Sequence, residues 1–144
     1  MKSYLKIDSI WEDDDLFEIR ANATNELFSG TADIYLTRED ITELAESLEG
    51  FPENINQVVS FTTGENENIS YFTLNFKCVD GSGHIVVRVK IAYIVTDTAR
   101  PKKYYVSEFD INIEAAAVDQ FVISLHKLAT SELGKISAVL NGKT

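Results

Sequence analysis

Four acids in a row follow the only tryptophan of the chain: Trp11-Glu12-Asp13-Asp14-Asp15. Carboxylates at this density could hold a divalent cation, act as general acid and base, or offer charge to a basic partner. A calcium loop alternates its acids and places a glycine at the bend, and contiguous acids supply neither. Catalytic carboxylate pairs need a cleft and a shifted pKa, which a sequence does not display. The run therefore reads as a solvated turn between strands, with an acidic lip for a basic partner as the functional alternative.

The remaining reactive residues do not assemble into a motif. His84 and His126 lie far apart, with no second His or Cys at metal-ligand spacing, so each reads as a surface residue. Cys78 is the only cysteine and falls on the inward side of an alternating strand, where a thiol is inert and buried. No nucleophile elbow, phosphate loop or dinucleotide fingerprint is present. The one basic cluster, Arg100-Pro101-Lys102-Lys103, reads as a solvated loop tip. These absences predict no catalytic residue, no metal site and no cofactor.

At 144 residues with 44% hydrophobic content, the chain is long enough to bury one core as a single domain, 1–144, without disulfides. The start MKSYLKIDSI breaks any signal-peptide apolar region at Lys6 and Asp8, and no stretch reaches the ~20 apolar residues of a membrane span. The expected location is the cytoplasm. The sequons Asn22-Ala23-Thr24 and Asn68-Ile69-Ser70 are discounted on that basis. A net charge of −10 argues against nucleic acid and anionic membranes as partners and favours a basic protein.

Periodicity supplies the elements that must carry these residues. Phe17, Ile19, Ala21 and Ala23 alternate, as do Phe28, Ala32, Ile34 and Leu36. Ile41, Leu44, Ala45 and Leu48 form a helical stripe, with Thr37 as N-cap, Asp40 completing a capping box and Gly50 ending the helix. Phe72 to Cys78 and Ile85 to Tyr93 alternate about Asp80-Gly81-Ser82-Gly83, read as a type II′ hairpin that pairs Cys78 with Ile85 and Asn75 with Arg88. A strand over 105–113 turns Tyr105, Phe109, Ile111 and Ile113 inward, and a helix buries Val118, Phe121, Val122 and Leu125. The segment SELGKISAVL reads as a further helical turn or short helix.

DIYLTREDITELAESL (33–48) and DINIEAAAVDQFVISL (110–125) align without gaps, so each half ends in a strand leading into a helix of the same phase. The expected class is α+β: an antiparallel meander sheet of about six to seven strands with two helices packed on one face; the internal match reads either as convergence on one strand–helix pattern or as a strands–helix duplication. Carried across the sheet, the register sets Lys90 opposite Glu108 and Arg88 opposite Asp110. Ile69, Tyr71, Ala92, Ile94, Tyr104 and Val106 then form an apolar patch facing away from the helices, covered by another element or used as a contact surface.

Three stretches together resemble a known family. Leu36-Thr37-Arg38-Glu39-Asp40-Ile41 with Leu44, then Asp80-Gly81-Ser82-Gly83-His84-Ile85, then Asp119-Gln120-Phe121, are similar to the order of motifs in the WapI-like immunity proteins of bacterial polymorphic toxin systems. The likeness runs over about residues 27 to 128, and its motifs are structural. Asp119-Gln120 lies inside the helix instead of at its cap, and the acidic run has no counterpart in the family pattern. The resemblance implies a non-enzymatic cytoplasmic antitoxin that binds and blocks a cognate toxin domain. The candidate contacts are then Trp11, Glu12, Asp13, Asp14 and Asp15 at the lip, with Tyr71, Ile94, Tyr104 and Val106 on the outer sheet. Two other readings stay open: an interaction domain that self-associates through the apolar patch, and a small-ligand binder with a cleft between sheet and helices.

Overall fold

The computed structural model describes residues 2–63, 69–97 and 99–143. Asn68 of the second sequon lies outside them. Eight strands and two helices follow in the order β1 (Tyr4–Glu12), β2 (Phe17–Thr24), β3 (Ser29–Leu36), α1 (Arg38–Leu48), β4 (Val58–Thr62), β5 (Tyr71–Cys78), β6 (Ile85–Asp97), β7 (Arg100–Ile113), α2 (Ala115–Thr130) and β8 (Ser137–Asn141). They form two antiparallel four-stranded sheets, ordered β3-β2-β1-β8 and β4-β5-β6-β7. The class is α+β as expected, but the single meander sheet is replaced by two. Two short strands account for the difference. SAVLN pairs with β1, Ala138 opposite Ile7, and so is a strand where a helical turn was expected; VVSFT pairs with β5, Phe61 opposite Leu74.

The topology repeats. Each sheet is a three-strand meander whose first strand pairs with the strand that follows the other half's helix: β8 after α2 joins β1, and β4 after α1 joins β5. The gapless match of 33–48 with 110–125 lies on the two strand-to-helix junctions, β3–α1 and β7–α2. Carried three residues upstream, it sets Gly30 against Ser107, and these two positions meet in space. A Cβ on Gly30 would lie 3.0 Å from Ser107 Cβ and 3.4 Å from Ile91 Cβ. Only a residue without a side chain lets β3 cross β6 and β7 this closely.

One hydrophobic core draws on both sheets and both helices, with Phe17, Phe51, Phe72, Phe76 and Phe121 its largest buried side chains. The helical stripes predicted for α1 and α2 are the buried ones. Thr37 caps α1: the Asp40 amide donates to Thr37 Oγ1 (3.1 Å) and the Thr37 amide to an Asp40 carboxylate oxygen (2.9 Å). The ladders keep the expected register, Cys78 opposite Ile85, Asn75 opposite Arg88 and Lys90 opposite Glu108.

The turn type is different. Gly83, at φ +82, takes the left-handed conformation instead of Gly81, and the Asp80 carboxylate accepts from the Ser82 amide at 2.8 Å. An aspartate able to fold back on its own turn removes the need for a glycine at its first central position. Cys78 is half-buried at the core's edge, less enclosed than expected. Tyr93 and Tyr105 share the inward face yet are exposed, because β6 and β7 outrun the rest of the sheet: β5 begins at Tyr71, opposite Ala92. Arg100 to Lys103 belong to β7 and not to a loop. Among the described residues, no helix is long and apolar enough to cross a membrane.

Candidate functional site

The acidic run divides between strand and turn. Trp11 and Glu12 end β1, and the chain reverses over Asp13–Leu16, where the Asp13 amide donates to the Leu16 carbonyl at 3.0 Å. One Asp13 carboxylate oxygen accepts from the amides of Asp15 (2.9 Å) and Leu16 (2.7 Å), tying that side chain to its own turn. The carboxylates of Asp14 and Asp15 face solvent. The register of β1 on β2 shifts between Ser9 and Trp11, so Ser9 is buried while Trp11 emerges on the outer face opposite Glu18. Irregularities of this kind re-aim side chains at sheet ends. Trp11 is 43% and Tyr35 46% exposed, with their rings edge-to-face at 6.3 Å, an aromatic pair beside the acidic turn.

Arg38, the first residue of α1, organises the inner side of this lip. Its guanidinium donates to both Glu12 carboxylate oxygens (2.6 and 3.0 Å) and lies 4.6 Å over the Phe17 ring. It also donates to the carbonyls of Ala129 (3.0 Å) and Ser131 (2.9 Å), closing the C-terminal end of α2. Helix C-termini leave carbonyls without donors and attract positive charge, so one side chain joins β1, β2 and both helices. A shallow cleft of about 300 Å³ opens here, lined by residues 12–17 and 37–39.

The hydrogen bonds from Arg38 hold the Glu12 carboxyl below the usual glutamate value of 4.5. Because the folded value is depressed, the stabilisation from this contact is present above pH 4.5 and is lost as pH falls through the lower folded value. A carbon-detected NMR titration should show Glu12 titrating below 4.5 in the native protein and returning towards that value in Arg38→Gln. An unchanged Glu12 midpoint in that variant would remove Arg38 as the cause.

Acidic charge continues from the turn along α1. Glu39, which lines the same cleft, leads to Glu43 and Glu46 at helical spacing on the exposed side, and Glu49 follows at the C-cap. Like charges three and four residues apart disfavour a helix, as do acids at its C-terminal end, and the last turn of α1 holds no basic residue.

The outer-sheet candidates lie elsewhere, on the β4-β5-β6-β7 sheet. Tyr104 and Val106 are more than half exposed, and the half-buried Tyr71 has the Lys90 ammonium 5.5 Å over its ring. Ile94 is a correction. It is only 8% exposed and Ala92 is fully buried, so neither is available for contact. Ala92 is short and lies between Tyr71 and Val106 on the flanking strands, so its larger neighbours shield it. The patch is smaller than its sequence suggested.

Both histidines pair with acids: His84 Nδ1 lies 2.5 Å from Asp80, and His126 Nε2 lies 2.9 Å from Glu49. Among the described residues, no three His, Cys, Asp or Glu side chains are grouped to hold a metal ion. A second cleft, about 460 Å³, is lined by Val79, His84, Ile85, Asn112, Ile113 and Lys143. The His84 ring beside it is turned to Asp80. Tyr35, Arg38 and Glu39 at the lip, with Glu43 and Glu46 beyond it on α1, are residues the sequence reading missed. Tyr35 carries the signal of an outward aromatic on β3, whereas nothing local links Arg38 to carbonyls some 90 residues away.

Compared with known proteins, the chain matches no family model, no curated protein and no solved structure.

Proposed function

We propose that the protein is a non-enzymatic binding module whose acidic lip docks a basic protein surface, in the manner of an immunity protein that neutralises a toxin domain. The observation that carries this reading is the continuity of charge from Asp13, Asp14 and Asp15 through Glu39 to Glu43 and Glu46, next to the exposed Trp11–Tyr35 pair. Aromatic anchors beside charge are what a protein interface core and rim require. Acids kept where they weaken their own helix support a role in recognition, because solubility alone could be met by acids placed without that cost. Arg38 fixes the lip from behind, so little reordering is needed on docking.

The test is capture from the native host's lysate with the wild-type protein and with a variant neutralised at Asp13, Asp14, Asp15, Glu39, Glu43 and Glu46 by Asn or Gln. A single basic polypeptide retained at low salt is the expected catch. Its association rate should fall at least about tenfold in the neutralised variant, and in about half-molar salt, where the Debye length is under ~5 Å. Equal capture by the two proteins would take the lip out of the interface. Trp11→Ala separates the anchor from the charge: it should speed dissociation and leave association nearly unchanged.

A further inference from the structure

We infer that Trp11, Glu18 and Tyr35 form a subsite on the outer face of the β3-β2-β1-β8 sheet that takes one arginine side chain of the basic partner, its guanidinium against the two rings and on the Glu18 carboxylate. The inference deepens the binding-module reading and rests on it for the partner that carries the arginine.

The three residues make one row across the sheet. Trp11 on β1 is opposite Glu18 on β2, and Glu18 is opposite Tyr35 on β3. Directly opposed residues share a face, and neighbouring strands lie ~4.8 Å apart, so the two outer backbones are separated by roughly 10 Å. The Trp11 and Tyr35 ring centroids are only 6.3 Å apart, with their planes at 87°. The rings therefore lean towards each other over the middle strand and make two perpendicular walls above Glu18. That carboxylate is half-buried, and among the described residues it has no hydrogen-bond or ion-pair partner. Arg20, two residues on, is held by both Asp33 oxygens (2.8 and 3.1 Å). The next row thus sets a base between two acids, Asp8, Arg20 and Asp33, whereas Glu18 has a ring on either side. A carboxylate partly screened from water and left without a base gains most from one that is brought to it. Residues 8–20 and 31–38, which build this end of the three strands, are all described.

The chain fills one site of this kind with an arginine of its own. One step along the same ladder Glu12 is opposite Phe17. Arg38 donates to both Glu12 oxygens (2.6 and 3.0 Å) while its guanidinium lies 4.6 Å over the Phe17 ring. Trp11 and Glu18 repeat that acid–aromatic pair with the strands exchanged, on the outward face, and Tyr35 adds a second ring. An arginine suits such a pair better than a lysine, because a planar fork can stack on a ring while it donates two N–H groups to one carboxylate. The surrounding charge agrees. Asp13, Asp14 and Asp15 follow Trp11 closely and the chain carries −10 overall, a field that draws in a cationic side chain and turns away an anionic one.

Trp11 is the only tryptophan, so its fluorescence reads the subsite directly. N-acetyl-arginine N-methylamide, titrated into the full chain to about 0.2 M at constant ionic strength, should change that emission along a saturable curve with a millimolar midpoint. The Trp11, Glu18 and Tyr35 amides should shift with the same midpoint in a two-dimensional NMR spectrum. The matching blocked lysine should need at least about threefold more ligand. Glu18→Gln, whose carboxylate has no partner to lose, should stay folded and raise the arginine midpoint at least about fivefold, and Tyr35→Leu about threefold. A response that never saturates overturns the inference, as does equal affinity for the blocked lysine or a midpoint unmoved in Glu18→Gln. The lysate capture changes acids outside this row, so the two experiments fail separately. Capture without arginine saturation strikes the subsite and spares the binding-module reading; saturation with equal capture by the neutralised variant spares the subsite and strikes the acidic lip.

Discussion

A chain shortened to end at Lys135, lacking β8, is expected to lose cooperative folding. Ala138 and Leu140 are fully buried, and β8 supplies the ladder partner of β1 from Tyr4 to Asp8 while packing against α2. Deleting one buried leucine side chain costs about 2–5 kcal/mol, and here the strand, its ladder and a second core residue go with it. Against a total stability of about 5–15 kcal/mol, that loss leaves no folded state to populate. Circular dichroism melts and amide dispersion in a two-dimensional NMR spectrum read the outcome. A sharp thermal transition in the shortened chain, close to that of the full protein, would mean that the first sheet stands without its fourth strand.

Arg38→Ala is expected to cost about 2–3 kcal/mol, a large loss for a residue at a sheet-to-helix junction. The reason is the α2 terminus. The Ala129 and Ser131 carbonyls lose a charged donor, and the Phe17 ring loses the guanidinium above it. The Glu12 contact faces solvent and contributes little by comparison. Glu12→Gln should therefore leave the urea midpoint nearly unmoved while Arg38→Ala lowers it. Arg38→Lys should fall between them, because an ammonium keeps the charge but not the planar fork. Equal midpoints for Arg38→Ala and wild type would show that water replaces the cap without loss.

What the sequence revealed, and what it hid, follows from how far apart the cooperating residues lie. The β5–β6–β7 register was legible because side-chain alternation and hairpin length are local and constrain each other, which is why Lys90 opposite Glu108 emerged correctly. The capping box of Thr37 and Asp40 was legible for the same reason. The hairpin's turn type was not, because Asp80 competes with Gly81 through a side-chain hydrogen bond that composition does not rank. Strand β8 was misread because Ala138, Val139 and Leu140 are all apolar, so no polar residue between them marks a period of two. Its partner, β1, lies at the opposite end of the sequence. At the candidate site, the acidic turn was visible in the letters, whereas Arg38 binding α2 depends on tertiary contact alone. Ala92 was misplaced because alternation assigns a face but does not weigh the size of the neighbours, here Tyr71 and Val106.

The exchange of last strands between the two halves also sets an order of events during synthesis. Strand β1 precedes the strand that covers its edge, Ser137–Asn141, by more than a hundred residues. At about 5–20 residues per second the nascent chain carries that edge uncovered for roughly 7–26 seconds. Loop closure over such a span is also slow to reward the chain, which favours a late and concerted final step. Like charge at the end of β1 and along α1 repels a second unfinished chain as it would a finished one, so acids placed to face a basic partner also oppose pairing of the uncovered edge.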